Sequence, residues 1–445
     1  MGSPVSRSFS NEQFSIDLEE HPNCLVSALV KTSPELLNSF HRQAIKKVKK
    51  NITLPGFRKG KAPDDTIVTR YPDAIRKECN ELLIQAAYSA LSSVGDRRPL
   101  SPQAVQSTAI QACDLSEGGQ VSFTYEAFPI IPEISWEKLT LPEASQLEEV
   151  SEEDIAKSLN NIAYFFATKT PVTRPSQEGD FLSISLHVSK QNEETVLSPI
   201  FENKYFKLSD EDMTDAFKEK FLGASVGHRI IEHISSPEIQ KFLNGDTLIF
   251  TVNAVMEIFV PELDEEKVQQ LQVASLDELK TKLRARLENQ AKEKLQQQRF
   301  SEAEEALASL VDFELPATLL KERISILTRE KLLNARLIQY CSNEELESRK
   351  PELLKEAEDS AVKALRLSFL TRKIFVEEQL SFNREELQYT IEACSRERFG
   401  SQPPKNISNE VLQELISASR DRLTYSKAIE KVLEKAEILT ASTPT

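Results

Sequence analysis

Apolar and polar positions alternate at Phe14-Ser15-Ile16-Asp17-Leu18 and again around residues 26–30, so both stretches read as half-buried strands. Ser33-Pro34-Glu35 then has the form of a helix start, a capping hydroxyl followed by proline at the first helical position. That helix runs to about residue 50. A loop over 54–63 leads to a further helical stretch at about 65–93, and Val121-Ser122-Phe123-Thr124-Tyr125 reads as a strand. Pro129, Pro132 and Pro142 mark an extended connector.

The pattern changes near residue 151. Ser151-Glu152-Glu153-Asp154 opens a helix with carboxylates at its positive end. Pro171, Pro175 and Gly179-Asp180 follow as a turn-rich passage. Strand periodicity appears at 181–188, 205–208, 229–234 and 247–258, with one helix around 213–222, which together predict a small α+β domain over 151–260. Beyond Pro261 the period is helical almost to the end. A long amphipathic stretch at 264–310 is interrupted by Phe313-Glu314-Leu315-Pro316, and helices at 317–341, 343–380, 383–399 and 408–439 follow. Pro351 falls early in the second of these, and residues 400–404 form a break. Long helices with few aromatic residues predict extended arms. No fixed-period repeat is evident.

Composition sharpens this picture. At 445 residues the chain has room for two to four domains with real cores. Leu, Glu, Lys, Ala and Gln dominate the second half, a mixture that favours helix. Only 11 glycines are present, few for an enzyme built on glycine-rich nucleotide loops. Residues 1–145 hold 16 basic and 17 acidic side chains, so nearly all of the net charge of −15 lies in the rest of the chain. That balance argues against a general nucleic-acid binder, DNA included, and makes any RNA contact local. The five cysteines lie far apart and form no C-x-x-C pair, which predicts free thiols in a reducing cytoplasm. The start lacks a basic region followed by an apolar stretch, so secretion is not expected. No apolar run reaches the ~18 residues of a membrane span, so no membrane partner is expected.

One segment stands out. Residues 41–61 carry eight basic residues and no acidic ones: Arg42, Lys46, Lys47, Lys49, Lys50, Arg58, Lys59 and Lys61. A basic helix face thus leads into a loop that presents one large apolar ring, Phe57, beside two cations. Gly56 and Gly60 can take positive φ, and Pro55 and Pro63 stiffen the exits. A charge run is often only a solvated face, but an exposed Phe among cations suits a surface of RNA phosphate and protein. A phosphate-binding P-loop does not fit. Three residues rather than four separate Gly56 and Gly60, and Ala62 stands where Ser or Thr must meet magnesium.

Gly56-Phe57-Arg58-Lys59-Gly60-Lys61-Ala62-Pro63 resembles the ribosome-docking signature of trigger factors, G-F-R-x-G-K-x-P. Arg70-Tyr71 and Phe313-Glu314-Leu315-Pro316 are also similar to that family, and the three-part organisation extends the likeness over essentially the whole chain. The resemblance implies a multidomain α+β protein. Residues 1–145 would form an α+β ribosome-binding domain, with Gly56, Phe57, Arg58, Lys59, Gly60, Lys61 and Pro63 as docking residues. Residues 151–260 would form a domain similar to FK506-binding proteins (FKBP-like), a prolyl isomerase. Residues 261–445 would form a long-helix chaperone domain with arms. The implied partners are the large ribosomal subunit at the tunnel exit, through protein and rRNA, and nascent or unfolded polypeptides. The resemblance also admits a homodimer off the ribosome. The implied location is the cytoplasm, partly on ribosomes. No cofactor and no ATP are implied, in keeping with the lack of a nucleotide motif.

A prolyl isomerase lowers a rotational barrier of about 18–20 kcal/mol by desolvating the amide in an aromatic pocket, with no nucleophile or metal. Gly179-Asp180-Phe181-Leu182-Ser183-Ile184-Ser185 resembles the family's domain start. Phe201, Phe206, Phe217 and Phe250 match its pocket aromatics, and Leu186 falls where it has an aromatic wall. Other positions depart. The family's buried acid falls at Ser185, its Ile-Pro-Gly turn reads Thr214-Asp215-Ala216, and no tyrosine occurs over 236–243. Four aromatics at such spacing are also what a plain core contains. Weak or vestigial isomerase activity is therefore expected, an active isomerase whose helices recruit substrate being the alternative. No catalytic residue is assigned. His228 and His233 would point to opposite faces of a strand, so no metal site is expected. In the helical part, Leu332, Leu333, Leu337 and Ile338, then Leu365, Leu367, Phe369, Leu370 and Phe375, interleave with charges. They are expected mostly to pack the arms, with some lining a client-binding cradle.

Overall fold

The computed structural model describes residues 6–55, 57–93, 97–143, 147–190, 198–209, 215–339, 341–400, 404 and 407–442. In chain order, strands β1 (Ser6–Ser10), β2 (Phe14–Glu20) and β3 (Leu25–Thr32) precede helices α1 (Pro34–Asn51), α2 (Asp64–Arg70) and α3 (Pro72–Ser92). Strands β4 (Val105–Asp114) and β5 (Gly118–Glu126) follow, then α4 (Glu152–Ala163), β6 (Thr168–Pro171), β7 (Phe181–Ser189) and β8 (Ser198–Lys207). Next come α5 (Asp215–Phe221), β9 (Arg229–His233), α6 (Pro237–Leu243) and β10 (Thr247–Phe259). The remainder is helical: α7 (Glu265–Gln270), α8 (Leu276–Leu310), α9 (Ala317–Leu333), α10 (Asn343–Glu377), α11 (Arg384–Phe399) and α12 (Asn409–Ser442). Among the described residues no helix is long and apolar enough to cross a membrane. The chain divides into two compact units, one of Met1–Trp136, Ala308–Arg323 and Ala364–Tyr425, the other of Glu137–Leu307, Ile324–Lys363 and Ser426–Thr445.

In the first unit an antiparallel sheet runs in the order β1-β2-β3-β5-β4. Val26, Ala28 and Val30 alternate inward on β3 and face Tyr125, Phe123 and Val121 across the ladder to β5. Helix α1 buries Leu37, Phe40, Ala44 and Val48 on this face, and α3 adds Ile75, Cys79, Leu83, Ala87 and Leu91. These repeats of three and four residues form one apolar stripe per helix. Gly119 permits the close approach, since a Cβ there would lie 2.8 Å from a Leu83 methyl. The helical stretch expected at 65–93 is instead two helices. Tyr71 adopts φ −134° and ψ 47°, because the ring of Pro72 disfavours helical backbone at the residue before it.

Helical segments of the same unit close the end of this sheet. The carboxylate of Glu126, at the end of β5, accepts from the Thr318 N–H at 2.9 Å and the Thr318 hydroxyl at 2.7 Å. The Asn23 N–H donates to Glu314 Oε2 at 2.8 Å, so the Phe313–Pro316 interruption is a docking point on the sheet. Phe128 and Phe369 pack edge to face at 6.4 Å.

In the second unit β6, β10, β7 and β8 lie side by side in that order, with β9 also paired to β10. Leu182, Ile184, Leu186, Val188, Leu248, Phe250 and Val252 form its core with Phe217 and Phe221 of α5. Leu332 of α9, Ala335 of the turn that follows, Cys341 just before α10, and Leu346 and Leu353 of α10 belong to the same core. The turn is a π-helical segment at Asn334–Ile338, so the helix expected over 317–341 changes pitch near its end. The stretch expected over 264–310 breaks between α7 and α8, where Gln272 takes φ +60°. Pro351 lies inside α10 without ending it.

The fold class is thus the multidomain α+β arrangement expected from sequence, with a long-helix C-terminal part.

Candidate functional site

The basic loop begins where α1 ends. Ser33 Oγ caps the helix by accepting from the Leu36 N–H, and Pro34 occupies the first turn. With Leu37, Phe40, Ala44 and Val48 buried, the helical period turns Arg42, Lys46, Lys47 and Lys50 outward. Lys47 pairs with Glu78 of α3 at 2.7 Å and Lys49 with Asp64 of α2 at 2.7 Å. Both are surface pairs, weakened by solvent screening, that link the helix to its neighbours.

Buried Leu54 and Ala62 anchor the two ends of the loop. Between them the Phe57 N–H donates to Leu54 O at 3.1 Å and the Lys61 N–H to Arg58 O at 2.9 Å, which makes two successive tight turns. Gly60 takes φ +79° with open space around it, so glycine is required there by backbone conformation rather than by crowding. The result is a finger whose tip is exposed. Phe57 keeps 43% of its surface, and Arg58, Lys59 and Lys61 are exposed with no ion-pair partner among the described residues. Pro63 precedes α2 as its N-cap residue. Gly56 lies outside the described residues.

The second candidate site is the aromatic cluster of the other unit. Leu186 pairs with Phe250 of β10 on one side and Phe201 of β8 on the other, so the three form one row on one face of the sheet. Phe201 and Phe206 lie 5.7 Å apart, Phe206 and Phe217 6.2 Å, and Phe217 and Phe250 5.7 Å. The structure therefore brings together all five residues singled out from sequence. It adds Phe221, 4.7 Å from Phe217 and 6.0 Å from Phe250. Its place four residues beyond Phe217 on α5 was the available signal.

Leu186, Phe217, Phe221 and Phe250 are fully or almost fully buried, while Phe201 and Phe206 are half-buried. Lys204 Nζ stands over these last two rings, at 5.6 and 5.2 Å from their centroids. Ser185 accepts from the Asn203 N–H at 3.0 Å and from Asn253 Nδ2 at 2.7 Å. A neutral hydrogen-bonded group thus fills the place of the expected family acid. Asp215 opens α5; Thr214 lies outside the described residues, as does the side chain of Ala216. Residues 237–243, where no tyrosine was found, form α6.

Two charged groups brace this unit. Asp180 is buried and receives both Arg174 guanidinium nitrogens, at 2.6 and 3.0 Å, as well as the Gln177 N–H at 2.8 Å. Burial alone would raise its pKa, but these donors hold the carboxyl below the usual range. Glu232 on β9 is likewise held down against burial, by Lys220 at 2.5 Å and Arg336 at 2.6 Å.

Of the apolar arm residues, Leu332, Leu367, Phe369 and Leu370 are buried, whereas Ile338 keeps 67% of its surface.

Comparison with known proteins supplies the class. Residues 14–162 match the family model described as bacterial trigger factor protein, and residues 275–434 match that of the bacterial trigger factor C-terminus. A trigger factor of Chlamydia pneumoniae is 68% identical over 441 residues, covering 99% of this chain and 100% of that protein. One of Chlamydia abortus is 65% identical, covering 97% and 98%. One of Thermus thermophilus is 26% identical, covering 94% and 99%. A solved chain from work on promiscuous substrate recognition by the trigger factor chaperone is 18% identical, with a TM-score of 0.45, covering 94% and 98%. The class is that of the polypeptide-binding chaperones. Within it, this chain belongs to the trigger factor family.

Proposed function

We propose that this chaperone docks beside the polypeptide exit tunnel of the large ribosomal subunit through the loop over 54–63 and receives nascent chains there without ATP. The carrying observation is the exposed Phe57 ring flanked by the cations Arg58 and Lys59, which have no ion-pair partner among the described residues, on a loop anchored at both ends. The cations meet rRNA phosphate and the ring meets an apolar protein surface, so Gly56, Phe57, Arg58, Lys59, Gly60, Lys61 and Pro63 act together. The acidic remainder of the chain is repelled by rRNA, which leaves the basic loop to set orientation. In functional terms residues 1–145 dock, residues 151–260 form an FKBP-like part, and residues 261–445 hold clients. Ile338 and similar exposed apolar side chains offer client contacts. Off the ribosome the docking and client surfaces self-associate into a homodimer, and the protein is cytoplasmic and partly ribosome-bound. Co-sedimentation with purified ribosomes tests this. The wild type is expected to pellet at physiological salt and the Phe57→Ala/Arg58→Ala/Lys59→Ala variant to stay in solution; equal behaviour of the two would overturn the reading.

The middle part retains at most weak prolyl isomerase activity. Burial of Leu186, Phe217 and Phe250 makes most of the cluster core, and Lys204 covers the two rings that remain accessible. The convergence of all the matched aromatics on one face favours the alternative, an active isomerase. A proline-limited refolding assay separates the two.

A further inference from the structure

Beside α1, in the first unit, lies an open cavity of about 220 Å³ that the docking reading leaves unused. Its walls include Cys79, Cys113, His41, Arg76, Ile75 and Leu115. Two of the five cysteines thus share one small space, although 33 residues separate them in sequence.

The register explains why. Cys113 of the edge strand β4 pairs with Gly119 of β5, and paired residues project to the same face. Gly119 faces α3, since a Cβ there would run into Leu83. Cys113 therefore also faces α3. Cys79 precedes Leu83 by one helical turn and lies on the same stripe. A bulge between Ile110 and Ala112 re-aims the end of β4 just before Cys113. Both thiols therefore open onto the same cavity, close enough for each to bear on the other's ionisation. Cys113 is exposed and Cys79 buried. The other cysteines have different partners: Cys24 Sγ donates to Glu314 O, Cys341 Sγ accepts from Arg349, and Cys394 interacts with Arg422.

We propose that Cys79 and Cys113 form a hydroperoxide-responsive thiol pair, in which the exposed Cys113 is oxidised first and Cys79 resolves it to a disulfide joining α3 to β4. The sulfur of Cys113 attacks one oxygen of hydrogen peroxide. The O–O bond breaks, a sulfenic acid forms and water leaves. The sulfur of Cys79 then attacks the sulfenic sulfur. The S–S bond forms as the S–O bond breaks, and the hydroxide departs as water with the Cys79 proton. Overall the two thiols lose two electrons and two protons, and the peroxide becomes two waters.

The division of labour follows from the surroundings. Burial pushes the Cys79 thiol up to about 11, so it keeps its proton and leaves the first reaction with peroxide to the exposed Cys113. Burial, with the nearby Asp114 charge, holds the Cys113 thiol above its ordinary value too, and Cys79 and the Arg76 charge offset only part of that; exposure, rather than a lowered pKa, is what makes Cys113 the first to meet peroxide. Reducing conditions reverse the link.

The test uses the full chain in its native state, exposed to a small excess of hydrogen peroxide, blocked with an alkylating reagent, digested without reduction and read by mass spectrometry. The expected product in the wild type is a Cys79–Cys113 linked peptide that dithiothreitol abolishes. Cys79→Ser is expected to give no link and to accumulate a Cys113 sulfenic acid that dimedone traps. Cys113→Ser, at an exposed position, is expected to give no link and an unreacted Cys79. Cys79→Ser, which buries a hydroxyl in the core, is expected to melt somewhat lower and Cys113→Ser at the wild-type temperature; both remaining folded at the assay temperature shows that loss of the link is chemical. Oxidation of Cys113 in the wild type without linkage to Cys79, or linkage to another cysteine or a second chain, would overturn the proposal.

Discussion

Arg336 donates from Nη2 to Glu232 at 2.6 Å, joining the π-helical turn after α9 to strand β9 across 104 positions of sequence. Only 2% of the Arg336 side chain is exposed, and its Nη1 donates to the Cys341 carbonyl at 2.7 Å. Truncating one partner of a buried pair strands the other charge, which typically costs about 3–5 kcal/mol. Lys220 remains beside Glu232, so Arg336→Met is expected to lose about 3 kcal/mol, towards the low end. Hydrogen exchange of β9 and α5 amides reads this directly, and Glu232→Met/Arg336→Met is expected to recover most of the loss.

The same pair sets a pH dependence. The folded pKa of Glu232 lies below its ordinary value of 4.5. Its contribution to stability is therefore fully present above that value and is lost as pH falls through the lower, folded one. The stability gap between wild type and Arg336→Met is expected to stay constant from neutral pH down to the ordinary glutamate range and to close below it. Denaturant titrations at a series of pH values check this; a gap that widened in acid would contradict it.

Gly60 gives a prediction about shape rather than charge. At φ +79° a Cβ costs about 1–2 kcal/mol of backbone strain even in open space. Gly60→Val is expected to distort the Arg58–Lys61 turn and weaken ribosome binding several-fold with little change in global unfolding. Gly60→Asn, which tolerates left-handed backbone, is expected to lose much less. Binding titrations with purified ribosomes at fixed salt compare the two.

Phe221→Ala removes a fully buried ring that touches both Phe217 and Phe250. The expected cost is about 3–5 kcal/mol, the range for large aromatic truncations in a core. Lys204→Ala, by contrast, uncovers Phe201 and Phe206 at the half-buried end of the cluster. It is expected to leave stability within ~0.5 kcal/mol and to raise the slight catalysis of proline-limited refolding. Denaturant unfolding and a refolding assay on the same samples separate the two effects.

These residues also show what the sequence made legible. The conformation of the loop over 54–63 was readable because its determinants are local: the capped helix at Ser33, the cationic run, and a glycine where φ must be positive. The row of Leu186, Phe201 and Phe250 was found through family likeness, and cross-strand register explains why those residues meet. Strands β1 and β4 were missed because nearly all their side chains are exposed or half-exposed, which leaves no inward alternation to see. Strand β8 was expected only at 205–208 and begins at Ser198, since irregular register on β7 breaks its period. Helix α6 is too short for periodicity to declare. The pairs Arg336–Glu232 and Cys79–Cys113 depend on tertiary contacts across long separations, for which one sequence carries no local signal.

The central claim is that Phe57 meets the large subunit at the tunnel exit. Photo-crosslinking tests it most directly, with a benzoylphenylalanine residue replacing Phe57 and purified ribosomes as the partner. The expected result is crosslinks to large-subunit protein or rRNA around the exit, lost when Arg58 and Lys59 are also changed to alanine. Crosslinks confined to the small subunit, or none while the protein still pellets with ribosomes, would contradict the account.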